Sequence, residues 1–425
     1  MICIRHFAAP ATCALLALSS QVHAVPFNSI DPRSLAMGGT GVASGTSANA
    51  GFMNPALLGA AGDGDRFSLE LPIIGIRVLS EDNVIDELNN LQDSNVQNNL
   101  ESAINTFNAT PTTTTAAAVG TAATDLQVQL AKLNNKALQG ELLAGSVVGI
   151  PGKAFGASLN ISARAVMGGR LNITSQDDQL LTDIATAAAN PTTLATDATV
   201  LNVLGGQNLD QILTSNLEAR GAVIGEVGLS MAREFSIFSE KVSFGVTPKV
   251  VRVNTYNYVA DVNTASISSK DGEKDYTDFN IDLGVAKQLD KSWKVGLTIK
   301  DLVSHDYTTV LGNTIKIEPQ ARAGVAYDNG WLAVALDADL TENAPVGIET
   351  SKTQNIAIGA EIDVWDTVQL RVGYHDNMSQ SSGSGTPTVG LGLSPFGVHI
   401  DLAAEYSDNN GTEQIGFAGQ LGFRF

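Results

Sequence analysis

Residues 414–425 read QIGFAGQLGFRF, and this stretch decides the fold class. Successive side chains of a β-strand point to opposite faces, so a two-residue period separates the residues into two sets. The first set contains Ile415, Phe417, Gly419, Leu421, Phe423 and Phe425, and the second contains Gly416, Ala418, Gln420, Gly422 and Arg424. One face is apolar and the other is small or polar, which predicts an amphipathic strand.

The same alternation recurs along the rest of the chain, where turn residues end each segment. In residues 396–407, for example, Ile400 and Leu402 alternate with His399 and Asp401. The predicted strands lie near residues 66–78, 141–149, 153–166, 217–233, 241–255, 277–289, 292–302, 319–328, 330–340, 354–363, 367–376, 386–394, 396–407 and 414–425.

The connections between these strands alternate between short and long. Short turns such as Asp290-Lys291 and Ser394-Pro395 follow the even-numbered strands, and longer connections follow the odd-numbered ones. Outer-membrane barrels have short periplasmic turns, long outer loops and an even number of strands. An antiparallel sandwich also alternates apolar and polar residues, but it gives no reason for this difference in connection length. The predicted fold class is therefore all-β, an antiparallel transmembrane β-barrel of about 14 strands over residues 66–425.

Aromatic residues support two membrane interfaces, because amphipathic rings collect where lipid meets water. One group lies in or beside short turns and contains Trp293, Trp331, Trp365 and Phe396. The other lies beside long connections and contains Tyr256, Tyr258, Tyr276, Tyr374 and Tyr406. This sorting predicts an aromatic belt at each end of the barrel.

Two long insertions, residues 80–140 and 175–216, interrupt the early strands and would lie outside the cell. Helical spacing in the first includes Leu88 and Leu91, and again Leu126, Leu130 and Leu133. The second has helical patches around Leu180 to Ala189 and Leu209 to Leu213. Both insertions are predicted to be partly helical, and they either form a gate or access site or remain solvated, partly disordered surface.

Residues 1–24 have the features of a secretory signal peptide. Arg5 supplies a positive start, FAAPATCALLALSS an apolar core, and Val22-His23-Ala24 small residues before a cleavage site. The apolar run is shorter than the ~20 residues that a membrane-spanning helix needs. We therefore expect export to the outer membrane of a Gram-negative bacterium.

Composition excludes several classes of function. The only cysteines, Cys3 and Cys13, lie in the predicted leader, so disulfides, thiolate metal sites and cysteine nucleophiles are not expected in the exported chain. The formal net charge of −19 makes nucleic acid a poor partner. No cofactor is expected.

A glycine-rich stretch at residues 25–65 precedes the first strand. Its string GGTGVASG at residues 38–45 is not a phosphate loop, because no Lys-Ser or Lys-Thr follows and no parallel-sheet unit surrounds it. Glycine allows close approach of backbones, so the stretch could lie inside a barrel lumen. It is too small to be a domain.

Two motifs in this stretch, RSLAMGGTGVA (residues 33–43) and NPALL (residues 54–58), resemble the mature start of hydrophobic-compound transporters of the FadL type. That resemblance implies a plug inside a fourteen-strand barrel. By motif position, the plug role falls on Gly38, Gly39, Gly41, Asn54, Pro55 and Ala56. The alternative is that these residues only turn the chain.

A closer resemblance, strongest after residue 275, is to the TraF family of plasmid-transfer-operon outer-membrane proteins. The strings that carry it are EPQARAGVAYDNG, VQLRVGYHDN, VGLGLSPFGVHIDLAAEYS and the terminal QLGFRF. The family name implies a role in conjugation.

Charged side chains on the lipid face would each cost ~2 to 4 kcal/mol near the midplane for Arg, so we expect them to point inward. The predicted lumen-facing polar residues are Arg322, Glu361, Arg371, His375, His399, Asp401, Glu405 and Arg424, together with Asp337 and Asp339. They form either a self-satisfying ion-pair network or a substrate path. Asp337 and Asp339 are few ligands for calcium, and no serine motif accompanies His399, so a metal site and an enzyme are not expected.

The leading hypothesis is passive movement of a small hydrophobic compound through a plugged barrel. The second is a structural or assembly role in a conjugation or secretion apparatus. The expected partners are outer-membrane lipid, a hydrophobic small molecule and the barrel-assembly machinery, which would engage the last strand through Phe425.

Overall fold

Fourteen antiparallel strands close into one barrel in the computed structural model, which describes residues 31–60, 67–197, 212–261, 272–348, 352–365, 367–380, 385–409 and 411–424. The first strand pairs with both the second and the last, which removes the free edges that an open sheet would have. The barrel strands are β1 (Ser68–Glu81), β2 (Ala137–Ile150), β3 (Gly156–Asn172), β4 (Asn216–Ile237), β5 (Glu240–Asp261), β6 (Glu273–Gln288), β7 (Trp293–Lys300), β10 (Gln320–Asp328), β11 (Leu332–Asp339), β12 (Asn355–Val364), β13 (Val368–Asn377), β14 (Thr386–Leu393), β15 (Val398–Asn409) and β16 (Thr412–Arg424). Each predicted strand is confirmed.

A small hairpin was not predicted. Its strands, β8 (His305–Thr308) and β9 (Thr314–Ile317), pair only with each other and form a separate two-stranded sheet. The hairpin lies in the connection between β7 and β10.

The two ends of the barrel differ in their connections. At one end, here called the short-turn end, tight turns such as Phe238-Ser239 join β4 to β5. The other end, here called the long-loop end, carries the two insertions and the β8–β9 hairpin.

One connection at the long-loop end is shorter than expected. Asn409 pairs with Thr412, so only two residues join β15 to β16, where the sequence pattern predicted a longer loop. Gly411 has a φ of 84°, a left-handed conformation that glycine adopts freely in tight hairpin turns. The tight turn at Gly411 therefore lets both strands extend further than their apolar alternation indicates.

The barrel is apolar outside and polar inside. On β15, for example, Leu402 is 55% exposed, whereas the alternate residues His399 and Asp401 are 3% and 2% exposed. Because the exposed residues in the described strands are largely Ile, Leu, Val and Phe, the outer surface suits lipid.

Exposed aromatic rings occur at both ends of the barrel, as the belts require. Trp365 and Phe396 are almost fully exposed at the short-turn end, and Tyr374 and Tyr406 are half-exposed on the outer surface toward the long-loop end. The expectation for Tyr276 was wrong, because its ring turns inward and packs against Tyr307 with 5.2 Å between ring centroids.

The insertions fold into helices that share a hydrophobic core. The helices span Val84–Ser94, Val96–Ala109, Thr113–Leu133, Ser175–Ala187 and Pro191–Thr196. Leu100, Phe107, Val119, Leu181 and Ile184 are buried between them. Of the residues that carried the predicted helical spacing, Leu126 lies in this core, whereas Leu88 is 41% exposed. None of the helices in the described ranges has the length and apolar character needed to cross a bilayer.

Several predictions concern residues outside the described ranges. They are the signal peptide at residues 1–24, both ends of the glycine-rich stretch, the start of the helical patch at Leu209 and the role of Phe425.

Candidate functional site

The N-terminal segment, defined here as residues 31–60, lies inside the barrel. A helix at Pro32–Ala36, a helix at Ala50–Met53 and a 3-10 turn at Pro55–Leu58 give it a compact shape. Leu35 and Ala36 pack against Ala403 and Ala418 of the inner wall. Ala50, Leu57 and Leu58 pack against Ala232 and Ala286 on another part of the wall. The segment therefore contacts the wall at distant points of the barrel.

Glycines of the wall make room for this segment. A Cβ at Gly359 or Gly373 would collide with the backbone of Met37 or Gly38, and a Cβ at Gly245 would collide with Pro55 and Ala56. Sequence analysis missed these wall glycines. Their signal in the sequence is a glycine at an inward position of an otherwise alternating strand, which often marks close approach of another backbone.

Arg33 joins the segment to β12. Its guanidinium donates two hydrogen bonds to the carboxylate of Glu361, at 2.9 and 2.8 Å, and a third to the carbonyl of Ser44 at 2.8 Å. Burial alone would lower the pKa of Arg33, but the negative charge of Glu361 raises it above the ordinary value. A bidentate pair of this kind fixes both the distance and the orientation of its partners.

The Arg33–Glu361 pair continues into the barrel wall. Arg371 donates to Glu361 and to Asp401, each at 2.5 Å, and Gln420 donates to Asp401 at 2.9 Å. Three of the predicted lumen-facing residues, Glu361, Arg371 and Asp401, thus form one buried chain of hydrogen bonds that ends on the N-terminal segment.

A second attachment binds the glycine-rich turn of the segment around Gly39 and Gly41. The Asp337 carboxylate accepts hydrogen bonds from the backbone N–H groups of Gly41 and Val42, at 2.8 and 3.0 Å. Arg322 donates to the carbonyl of Gly39 at 3.1 Å and to Asp339 at 2.5 Å. Both aspartates that sequence analysis considered for calcium are therefore engaged with protein groups.

Gly38 and Gly39 shape this turn, with φ of 72° and 90°. Both angles lie in the left-handed region that side chains with a Cβ rarely adopt. Glycine at these two positions is therefore explained by backbone conformation.

A third attachment is made by the NPALL motif. The Asn54 amide donates to the carbonyls of Val42 and Val285, at 2.9 and 3.1 Å, and accepts a hydrogen bond from the N–H of Ala56 at 3.0 Å. Ser243 donates to the carbonyl of Ala56 at 2.6 Å. Asn54 is fully buried, and it ties two parts of the segment to β6.

The remaining predicted residues lie apart from the segment. His399 Nε2 is 2.6 Å from Glu70 of β1, and Arg424 lies beside this pair at the short-turn end. Asp401 is 3.9 Å from His399, so Glu70, which sequence analysis did not single out, is the nearer carboxylate. Glu405 pairs with Arg77 on the side of the long-loop end.

A further buried charge cluster was missed. Lys249 of β5 contacts Glu226, Asp282 and Asp301, with distances of 3.0, 3.0 and 2.8 Å from its Nζ. These residues come from different strands and from the loop after β7, so only the closed barrel brings them together.

Cavities lie on both sides of the segment. One of about 240 Å³ opens toward the long-loop end and is lined by Arg77, Glu141, Arg164, Val166, Val346 and His375, among others. The other, of about 510 Å³, lies at the short-turn end, and Ala43, Ser44 and Ala60 of the segment form part of its wall.

Comparison with known families gives the relationship. The model of the family described as F plasmid transfer operon, TraF, protein matches residues 51–339. The chain belongs to this TraF family. No curated protein matches the chain.

Solved structures share the fold of this TraF family member. The structure of the TodX deltaS2S3 mutant monoaromatic hydrocarbon channel has a TM-score of 0.54 and 11% identity, covering 93% of this chain and 99% of that one. The P. putida toluene transporter TodX has a TM-score of 0.52 and 12% identity, covering 94% of this chain and 99% of that one. The likeness confirms the fourteen-strand barrel with an N-terminal segment and helical insertions, in agreement with the FadL-type resemblance at the level of fold.

Proposed function

We propose that the chain is an outer-membrane channel through which a small hydrophobic compound moves passively, with the N-terminal segment as its plug. The observation that carries the proposal is the position of this segment, which lies between two cavities and is tied to β12, β11 and β6 of the wall by Arg33, Gly41 and Asn54. A closed barrel without such a segment would leave an open aqueous pore, which suits a porin.

The orientation follows from the connections. Short turns face the periplasm and long loops face the outside in bacterial barrels, so the helices of the insertions stand at the outer surface. The apolar outer face takes lipid as its partner, the predicted leader directs export, and the last strand engages the barrel-assembly machinery.

The ligand class rests on the similar structures, which are described as a monoaromatic hydrocarbon channel and a toluene transporter. Toluene is therefore the probe of choice. The test compares uptake of labelled toluene at low concentration in cells that lack the protein and in cells that regain it from a plasmid. We expect slower uptake without the protein, and equal rates would end the transport proposal.

A second candidate function is a structural or assembly role in a conjugation or secretion apparatus. The description of the family as F plasmid transfer operon proteins favours it, and so do the helices with their own core at the long-loop end. The test is conjugation frequency after deletion, together with a pull-down from membranes. Unchanged conjugation and a protein that purifies alone would argue against this role.

A further inference from the structure

The inner wall carries an apolar patch, defined here as Val166, Ala222, Ile224, Val251, Val253 and Tyr276. These residues are neighbours by register, since Val166 pairs with Ala222, and Val253 pairs with both Ile224 and Tyr276. Inward positions next to the patch on the same strands are polar, as at Arg164, Glu226 and Lys249. The patch is thus an apolar region bordered by polar inward side chains of the same strands.

The β8–β9 hairpin covers this patch. Its strands pair Tyr307 with Ile315 and His305 with Ile317, which places these four residues on one face. Tyr307, Ile315 and Ile317 are 1%, 4% and 2% exposed and pack on the patch. The opposite face carries the Asp306–Lys316 pair. An amphipathic hairpin therefore has its apolar face against the apolar patch.

The Tyr307 ring is the largest side chain that the hairpin places there. It is buried beside the Tyr276 ring. Burial raises the pKa of Tyr307, and the negative charge of Asp278 raises it further, so the phenol stays neutral. The patch thus already holds a neutral single aromatic ring, and that ring belongs to the protein itself.

The hairpin is held by polar contacts with the wall, among them one between His305 Nε2 and the carbonyl of Phe279 at 3.2 Å. Tyr276 donates to the carbonyl of Thr308 at 2.7 Å, Lys274 donates to the carbonyl of Thr309 at 3.0 Å, and Asn257 donates to the Thr309 hydroxyl at 3.2 Å. The hairpin strands make no ladder with the barrel strands, so the barrel can stay closed when the hairpin moves.

The covered patch borders the cavity at the long-loop end. Val166 and Val346 belong both to the apolar cluster and to the lining of that cavity. The rest of the lining includes Arg77, Glu141 and Arg164, whose charges offer an apolar molecule little. A hydrophobic compound that enters the cavity therefore gains most by moving under the hairpin.

We propose that the apolar patch is a binding site for a single-ring aromatic molecule, and that the hairpin competes for it by placing Tyr307 where the ligand ring would lie. Binding displaces the hairpin from the wall. The inference deepens the proposed channel function and rests on it for the class of ligand. It adds the location at which the ligand binds and identifies Tyr307 of the hairpin as a side chain that competes with the ligand.

The test measures equilibrium binding of toluene to the purified full-length chain in nanodiscs, with empty nanodiscs as the correction for lipid partitioning. Tyr307→Ala removes the competing ring, so we expect its Kd for toluene to fall at least tenfold below that of the wild type. The matched control is Tyr374→Ala, which removes a half-exposed ring from the outer surface and should leave Kd unchanged. Equal affinity of the wild type and Tyr307→Ala would overturn the proposal.

A second measurement needs no substitution. Toluene should accelerate hydrogen exchange of backbone amides in residues 305–317 of the wild type, while amides of β15 should not change. Unchanged exchange at saturating toluene would overturn the hairpin's role. The two proposals can fail separately. If toluene does not bind at the patch but uptake depends on the protein, only the proposed site is wrong. If toluene binds tightly but deletion does not change uptake, only the channel proposal is wrong.

Discussion

Arg33 brings a cation of the N-terminal segment against a carboxylate of the barrel wall. The side chains of Arg33 and Glu361 are only 8% and 13% exposed, so water screens the pair weakly. Removing one member of such a pair leaves its partner buried and poorly compensated. Here Glu361 keeps Arg371, which reduces the penalty.

We predict that Arg33→Ala loosens the segment without unfolding the barrel. Breaking a buried pair costs ~3–5 kcal/mol, and we expect the lower limit because Arg371 remains. A cost of about 3 kcal/mol raises the displaced population roughly a hundred-fold. Limited proteolysis of the purified protein in detergent should therefore cleave the N-terminal segment faster.

Arg252→Ala is the matched control for this experiment. Arg252 is 64% exposed in its side chain, and its Nη2 lies 3.6 Å from Asp275, so the pair contributes little. Cleavage in this variant should equal that of the wild type. If Arg33→Ala is cleaved no faster than Arg252→Ala, the ion pair does not hold the segment.

Gly373 tests the close approach of wall and segment. A Cβ at Gly373 would collide with Met37 and Gly38, so Gly373→Ala should push the segment away and increase its cleavage by protease. Gly75→Ala is the control, because the added Cβ would meet only ordinary contacts, the nearest at 3.5 Å. Both variants should keep the heat-modifiable gel mobility of a folded barrel. Equal cleavage in both would contradict the predicted collision.

At the scale of elements, the helices of the two insertions form a unit with its own core. Its buried residues come from the insertions, while the wall strands belong to other clusters. This separation indicates that the helices can unfold while the barrel stays closed. The barrel's cooperative ladder does not depend on them.

Leu100→Ala should therefore destabilise the helices alone. Leu100 is fully buried, and truncation of such a leucine costs ~2–5 kcal/mol. Thermal loss of the far-UV helical signal should shift to lower temperature, while barrel mobility on gels is unchanged. Leu88→Ala, at a residue that is 41% exposed, should have little effect. A joint loss of helices and barrel in Leu100→Ala would disprove their independence.

The strands could be predicted from sequence because alternation is local and needs no partner. The hairpin could not be predicted, because β8 and β9 have only four residues each. Their apolar face can be recognised only when the patch that it covers is known. The same limit applies to Arg33 and Glu361, which are 328 residues apart. Residues so far apart in the sequence come together only when β1 pairs with β16 to close the barrel and each strand has its correct register. The alternation in the sequence predicted that the Glu361 side chain points into the barrel, but it did not predict that Arg33 is its partner.

The whole molecule is arranged with its apolar surface outward. Charged residues such as Arg322, Asp337 and Lys249 are buried inside, while Leu402 and Phe417 are more than half exposed. In water this arrangement would aggregate, and in a bilayer it places each group where its solvation is favourable. This distribution of apolar and charged side chains is therefore the one that a lipid bilayer stabilises.

The last prediction tests that outer surface directly. Leu402 lies in the middle of β15 on the exposed face, so Leu402→Arg places a charge in the hydrocarbon layer. We expect a loss of ~2–4 kcal/mol in the free energy of folding into lipid vesicles, as measured by urea titration. Leu289→Arg, in the turn between β6 and β7, is the matched control, because Leu289 is 54% exposed and the cost of an arginine falls below about 1 kcal/mol near the interface. Equal effects of the two substitutions would mean that the face of Leu402 does not contact lipid, and the channel and assembly proposals would then both lose their basis.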